Sequence, residues 1–324
     1  MEGVLEAARL HKDLDSLRYL RDGGGSVDVF GVIVGLRVSL VFRPLNGLLG
    51  AYLPGAKPGI LVTTERPLSI QRLTGAHELG HFFMQHRGSL DDTTVIQRSP
   101  FAKDYEPMEV AANSFATAFL MPNWLLEHHA ERQKWTRLSF SDPHTVYQLS
   151  LRIGASYQAT CWGLHQQGVL ELKQAKILAD AEPKGLKQEL LGKHGLKSWY
   201  PNIWILTEKD QDILIHGEPH DIFIVRLREQ SGAGYLWNLD QVKSAGFNIV
   251  SDERVVPPHD VEIGGAIERV LTAKSEVPTT GSFEFLQRRP WDESDVIGRL
   301  SLGYDLRGKE QGKPRVAREK LSVA

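Results

Sequence analysis

One stretch combines residue types and spacing that could do chemistry: Gly75-Ala76-His77-Glu78-Leu79-Gly80-His81-Phe82-Phe83-Met84. On a helix, residues four apart stand one above the other, so His77 and His81 can aim two imidazoles at one point. That is the bite a tetrahedral Zn²⁺ takes from its first two protein ligands. Glu78 lies about 100° round the helix from His77, so it is not placed as a ligand beside it. It can instead reach a water held by the metal and take that water's proton. A plain core helix would bury two imidazoles and a carboxylate, and each would need a polar partner.

A third ligand must come from another element. The run Met108 to Leu120 follows Pro107, which suits a first helical turn, and stops at Met121-Pro122. Within it Glu109, Ala112, Asn113 and Ala116 share a face. A carboxylate heading a small, apolar face is costly unless it binds something, and the alanines permit close approach to the histidine helix. Glu109 is therefore the expected third zinc ligand, and Asn113, one turn on, can hydrogen-bond a ligand from behind. Glu106 is the competing carboxylate, but it precedes Pro107, which disfavours helical backbone there. Tyr105 and Arg72 are candidate donors to a developing oxyanion.

Around these residues the leucines 5, 10, 14, 17 and 20 predict an amphipathic helix over 2–21, and a second short helix covers 27–36. Three short strands follow at 39–42, 50–53 and 59–63, bounded by Gly and Pro. They make a small sheet whose edge could hold an extended substrate backbone. The histidine helix spans about 67–86, and residues 87–107 read as a polar, irregular surface loop. Helices fill 124–170. Leu149-x-x-Arg152-Ile153-Gly154-Ala155-Ser156 has the cadence of a helix-turn-helix. The second helix, 156–167, has no Lys or Arg for phosphates up to His165, so a structural helical pair is expected. Cys161 reads as an inert core thiol, with inhibitory ligation of the metal as the alternative, and His86, His128, His129, His144 and His165 read as surface residues.

His77-Glu78-Leu79-Gly80-His81, followed by Glu109-x-x-Ala112-Asn113-x-Phe115-Ala116 and Leu120-Met121-Pro122, resembles the ImmA/IrrE family of zinc metallopeptidases. The resemblance extends upstream to Val27-Asp28-Val29-Phe30 and Gln71-Arg72 and covers roughly 1–170. It implies a gluzincin-type endopeptidase. Such enzymes cut a helix-turn-helix repressor and so switch on stress, DNA-damage or mobile-element genes. The family's metal ligands map onto His77, His81 and Glu109, and its catalytic glutamate onto Glu78.

From residue 202 the hydrophobic period changes to two. Seven or eight short strands up to residue 306, separated by Gly, Pro and Asp turns, predict a β-sandwich. Loops 231–237, 263–265 and 288–291 carry glycines, Tyr235, Trp237, Arg288, Arg289 and Trp291, which suit a binding surface; ordinary turns with both tryptophans in the core are the alternative. Gly-Tyr-x-Trp, Gly-Gly and Arg-Pro-Trp in this order resemble the chagasin family of cysteine-protease inhibitors, which have an immunoglobulin-like fold. The resemblance departs where that family's first loop carries paired threonines that enter the target's cleft. Here Gly232 and Ala233 stand instead, which favours a sensor, substrate dock or autoinhibitory module.

The whole reads as an α+β chain: a gluzincin-like zinc peptidase domain with a small sheet (1–130), a helical, helix-turn-helix-like linker (131–198), an immunoglobulin-like β-sandwich (199–308) and a basic tail (309–324). The tail is expected to be solvated, with contact to an activating nucleic acid as the alternative. The net charge of −2 excludes a global attraction to nucleic acid or membrane. The single cysteine excludes an internal disulfide framework and fits a reducing compartment. No signal-peptide pattern opens the chain and no apolar run is long enough to span a membrane, so a cytoplasmic protein is expected. A non-enzymatic regulator or protease-inhibitor-type binding protein is the alternative function.

Overall fold

The computed structural model describes residues 2–16, 24–92, 106–192, 200–255 and 267–322. They fall into two units, Met1–Ala130 with Thr136–Ala181 and Lys309–Ala324, and Glu131–Trp135 with Glu182–Gly308. Of the segment read as a separate linker, 136–181 groups with the first unit and 131–135 and 182–192 with the second.

In the first unit α1 is Glu2–Asp13, shorter than the expected helix; Asp15 turns into the left-handed region (φ 46°), and 17–21 lie outside the described residues. Asp28 caps α2 (Val29–Gly35) by accepting from the Gly31 N–H at 2.9 Å. Strands β1 (Ser39–Arg43), β2 (Leu48–Leu53) and β3 (Gly59–Thr63) then lead into α3 (Leu68–Phe83). Every residue of α3 from Thr74 to His81 is buried, the polar Thr74, His77, Glu78 and His81 included. Beyond α3 the expected loop contains a fourth strand, β4 (Asp91–Asp92), antiparallel to β2. The sheet order is β1-β3-β2-β4, with β1 and β3 parallel. The rest of the expected loop, 93–105, lies outside the described residues.

Helix α4 (Pro107–Leu120) begins at its proline, with Glu106 as the preceding extended residue. Gly80 lets it close on α3: a Cβ there would stand 3.1 Å from the Phe115 ring. Phe115 is fully buried and stacks on Phe119 at 5.6 Å and Phe83 at 5.9 Å. α5 (Asn123–Gln133), α6 (Pro143–Ile153), α7 (Tyr157–Gln166) and α8 (Leu172–Ala179) follow. Gly154, at φ 69°, joins α6 to α7 with Ser156 capping the second helix, so the turn chemistry is as expected. Cys161 is buried on α7, and burial pushes its thiol up to about 12, as an inert core residue requires.

The second unit opens with α9 (Pro183–Leu191). Strands β5 (Ile203–Leu206), β6 (Ile213–His216), β7 (Ile222–Glu229) and β8 (Leu236–Asn238), helix α10 (Asp240–Ser244), and strands β9 (Asn248–Val255), β10 (Ile267–Lys274), β11 (Thr280–Arg289) and β12 (Asp292–Asp305) build two sheets. Their orders are β5-β7-β10-β9 and β6-β12-β11-β8. Phe223, Phe247, Phe283 and Tyr304 form a continuous ring cluster from one sheet to the other. Each strand read from the period-two pattern is present.

The basic tail is not a solvated appendage. It returns to the first unit and ends in α11 (Arg315–Ser322). Gly312 pairs with Phe42 on the outer edge of β1, through hydrogen bonds of 2.7 and 2.9 Å. The buried Gln71 amide on α3 donates to the Glu310 carbonyl (3.1 Å) and the Thr63 carbonyl (2.9 Å) and accepts the Glu310 N–H (2.8 Å). Glu310 is itself buried and binds Arg315, which explains why the run of cations can dock. Gln71→Leu should therefore destabilise the first unit by about 2 kcal/mol, read by denaturant unfolding, because it strands buried backbone groups.

Candidate metal centre

Helix α3 sets His77 and His81 one turn apart, and α4 brings Glu109 across from them through the Gly80–Phe115 contact. The two Nε2 atoms are 3.0 Å apart, and Glu109 Oε2 stands 3.2 Å from the first and 3.5 Å from the second. Asp91, arriving on β4, places Oδ2 3.4 Å from His77 Nε2. One ligand atom from each of His77, His81, Asp91 and Glu109 lies within 4.8 Å of every other, and all four residues are buried. A tetrahedral ion with bonds of about 2.1 Å holds its ligand atoms about 3.4 Å apart, so the spacing fits a metal.

Proton bookkeeping supports the fit. The Asn113 side-chain oxygen can only accept, so His77 Nδ1 donates to it at 2.9 Å and leaves Nε2 to face the cluster. His81 Nδ1 is 3.0 Å from His86 Nδ1. Gln85, at φ 52°, turns the chain so that the His86 N–H returns to the His81 carbonyl and sets that imidazole behind His81. With both Nδ1 atoms engaged outward, two imidazole nitrogens and two carboxylates face one point. A bound cation, or a proton on one of the imidazoles, would hold such a set together. Asp91 Oδ2 faces His77 Nε2 but makes no hydrogen bond of regular geometry.

The protonation of these groups tells the same story. Burial opposes charge on His77, but hydrogen bonds to Asp91 and Glu109 and the nearby charges of Glu78 and Asp91 outweigh it, raising His77 to about 10. Burial also works against ionised Glu109, yet its contacts with His77 and His81 bring it down to about 2. Glu78 behaves oppositely: burial holds its carboxyl well above the usual range.

Glu78 lies between β2 and the ligand cluster, against Gly50 on one side and the charges of His77 and Asp91 on the other. Its Oε2 accepts from Ser89 Oγ at 2.9 Å, while the buried Oε1 has no hydrogen-bond partner. Gly50 makes the room: a Cβ there would stand 2.5 Å from Oε1 and collide with the Thr74 methyl. Gly50→Ala should therefore lower turnover about 10- to 100-fold by shifting this carboxylate, while metal content stays at one ion per chain. Peptide-cleavage kinetics and metal analysis on one preparation check both halves.

The other sequence candidates fall elsewhere. Glu106 is exposed and pairs with Arg87 at 3.2 Å, outside the cluster. Arg72 is spent on the carbonyls of Val27 (2.7 Å) and Gly154 (3.1 Å), so it is tied to the fold and not aimed at an oxyanion. Tyr105 lies outside the described residues. His86, read as a surface residue, instead backs His81. Asp91 and Ser89 sit in a polar stretch with no helical or strand period to single them out in the sequence.

With this geometry in hand, comparison with known proteins separates the two halves of the chain. Residues 37–165 match the family model of the IrrE N-terminal-like domain, Peptidase M78. Residues 37–165 are thus IrrE-like. That match spans both histidines and Glu109, supports a peptidase, and agrees with a metal at the cluster described. Residues 218–300 match the chagasin family of peptidase inhibitors, I42. A curated relative, Amoebiasin-2 of Entamoeba histolytica, is 29% identical over 111 residues, covering 34% of this chain and 88% of its own. Solved structures similar to this part include the cysteine protease inhibitor EhICP2 of Entamoeba histolytica (24% identity, 33% of this chain, 98% of that one, TM-score 0.30). Another is the solution structure of amebosin (21% identity, 33% and 98%, TM-score 0.28). The family-model match over 218–300 is what makes the β domain chagasin-like.

In the chagasin-like domain the two loop tryptophans part company. Trp237 is buried and donates its indole N–H to the Arg228 carbonyl at 3.0 Å. Trp291 is 74% exposed and lies against Gly234. Beside it Arg289 covers the Tyr235 ring at 4.4 Å. Loop 263–265 lies outside the described residues. Among the described residues no helix is long and apolar enough to cross a membrane.

Proposed function

We propose that this chain is a zinc-dependent endopeptidase that cleaves a helix-turn-helix transcriptional repressor and thereby switches on a stress, DNA-damage or mobile-element response in the cytoplasm, under control of its chagasin-like domain. The observation that carries the catalytic part is the convergence of His77 Nε2, His81 Nε2 and Glu109 Oε2 from two helices, with Glu78 beside them. The repressor rests on the resemblance to ImmA/IrrE peptidases.

His77, His81 and Glu109 would hold the ion, with Asn113 and His86 fixing the imidazoles from behind. Zinc bound there supplies a Lewis acid that acidifies water and polarises a peptide carbonyl. Glu78 is the general base. Glu78 would take the proton of the attacking water and return it to the leaving amine. A carboxyl raised toward neutrality by burial suits that exchange.

The test is incubation of the full, zinc-loaded chain with a small helix-turn-helix repressor encoded beside it. Discrete cleavage that disappears with chelator is expected. An active wild type whose Glu78→Gln variant cuts equally well refutes the mechanism.

A second reading, a binding protein of the protease-inhibitor type, draws on the chagasin-family match and exposed Trp291. Inhibition of a papain-like enzyme by the full chain, lost in Trp291→Ala, would favour it.

A further inference from the structure

The cluster contains one carboxylate more than a catalytic centre of this kind uses. Catalytic zinc sites keep three protein ligands and an open position, whereas sites with four protein ligands are closed and structural. Asp91 supplies the fourth. Its side chain is buried, and its Oδ2 faces His77 Nε2 at 3.4 Å without a hydrogen bond of regular geometry. Two neutral imidazoles and two carboxylates would also balance the charge of a divalent ion.

The backbone that delivers Asp91 is equally telling. The Ser89 N–H donates to the Tyr52 carbonyl at 3.2 Å, and the Tyr52 N–H donates to Ser89 Oγ at 3.3 Å. Asp91 then pairs with Gly50, and Asp92 with Leu48, antiparallel on the edge of β2. Side chains alternate along this segment: Ser89 is turned inward to Glu78, Leu90 is 71% exposed, and Asp91 is turned inward to the metal ligands. An extended peptide adding to β2 would take this same edge and register, next to the base and the metal.

We propose that Ser89–Asp91 is an internal inhibitory strand: Asp91 is a fourth ligand to the metal, Ser89 occupies the general base, and the segment must leave β2 before a substrate strand can replace it. The ladder it has to break is short, because the register shifts between Leu48 and Gly50 and β4 has two residues. The proposal rests on the reading of His77, His81 and Glu109 as a metal site.

The test uses the full chain loaded with Zn²⁺ or Co²⁺ and needs no substrate. Zinc affinity is measured by competition with a chromogenic chelator, and access to the ion by the response of the Co²⁺ visible spectrum to azide. Wild type should bind one ion and ignore azide. Asp91→Ala should bind at least about tenfold more weakly, and its spectrum should shift with azide. Asp91→Asn, which keeps the shape and the β2 pairing, should open the site in the same way and guards against misfolding of the alanine variant. An azide response in wild type, or equal zinc affinity in wild type and both variants, overturns the proposal. His77→Ala separates the two readings. Metal binding that survives His77→Ala sinks the metal site itself and this proposal with it. Binding that is lost with His77 but indifferent to Asp91 sinks this proposal alone.

Discussion

Glu78→Gln is expected to abolish repressor cleavage, by at least about a hundredfold, while leaving bound metal unchanged. Glu78 is outside the set of ligand atoms that converge, so the ion keeps its donors. Glutamine fills the same space against Gly50 and can still accept from Ser89, so the local packing survives. What it lacks is the basic oxygen that takes the proton of the attacking water. The same substitution should make the metal-free protein more stable at neutral pH. Burial raises the Glu78 carboxyl well above 4.5, so in its ionised form it works against the folded state at every pH above that value. A neutral amide removes the penalty. Loss of cleavage together with a higher melting temperature would mark a residue kept for chemistry at a cost to the fold. Equal activity would remove Glu78 from the mechanism.

Removing the metal should have the largest effect on stability, and one that grows with pH. In the metal-free protein a proton on His77 takes the place of the cation. Its folded value of about 10 lies above the ordinary 6.5, so its stabilisation is complete below pH 6.5 and is lost as pH rises toward 10. Glu78, also raised, pushes the same way from pH 4.5 upward. Glu109, lowered to about 2, and Asp91, lowered as well, contribute stability that is lost as pH falls below their ordinary values of 4.5 and 3.8. The chelated protein should therefore be most stable near pH 4.5 and lose stability above it, with His77 alone contributing a loss of up to about 1.4 kcal/mol per pH unit once the pH passes 6.5. The zinc-loaded protein should hold its stability through the alkaline range, because the ion occupies the lone pairs. At a thousandfold excess over its dissociation constant the ion contributes about 4 kcal/mol. Denaturant unfolding at pH 5, 7 and 9, with and without chelator, measures the difference. Parallel pH profiles would mean that the ion does not bind where His77 titrates.

Much of this was legible because it is local. The four-residue spacing of His77 and His81 places both imidazoles on one face of any helix, whatever surrounds it. Glu109 was legible from its place at the head of an alanine-rich face, and Pro107 told it apart from Glu106 by ending the extended backbone there. The strands of the chagasin-like domain were legible from a period of two, and their observed bounds differ from the reading mainly at the ends, as with β9, which runs on to Val255.

Tertiary structure decided the rest. Asp91 and Ser89 have no periodic signature; they matter because β2 offers an edge that their backbone can join. His86 reaches His81 only because Gln85 adopts a left-handed turn that a glutamine does not advertise. The tail looked like a solvated run of cations, yet Gln71 and Phe42 present it with buried amide and backbone partners more than two hundred residues away in sequence. Sequence alone determined which side chains could grip an ion, because side-chain direction within a helix is a local property. Which carboxylate completes the grip, and where the chain's end is anchored, depended on partners distant in sequence that only the folded chain brings together.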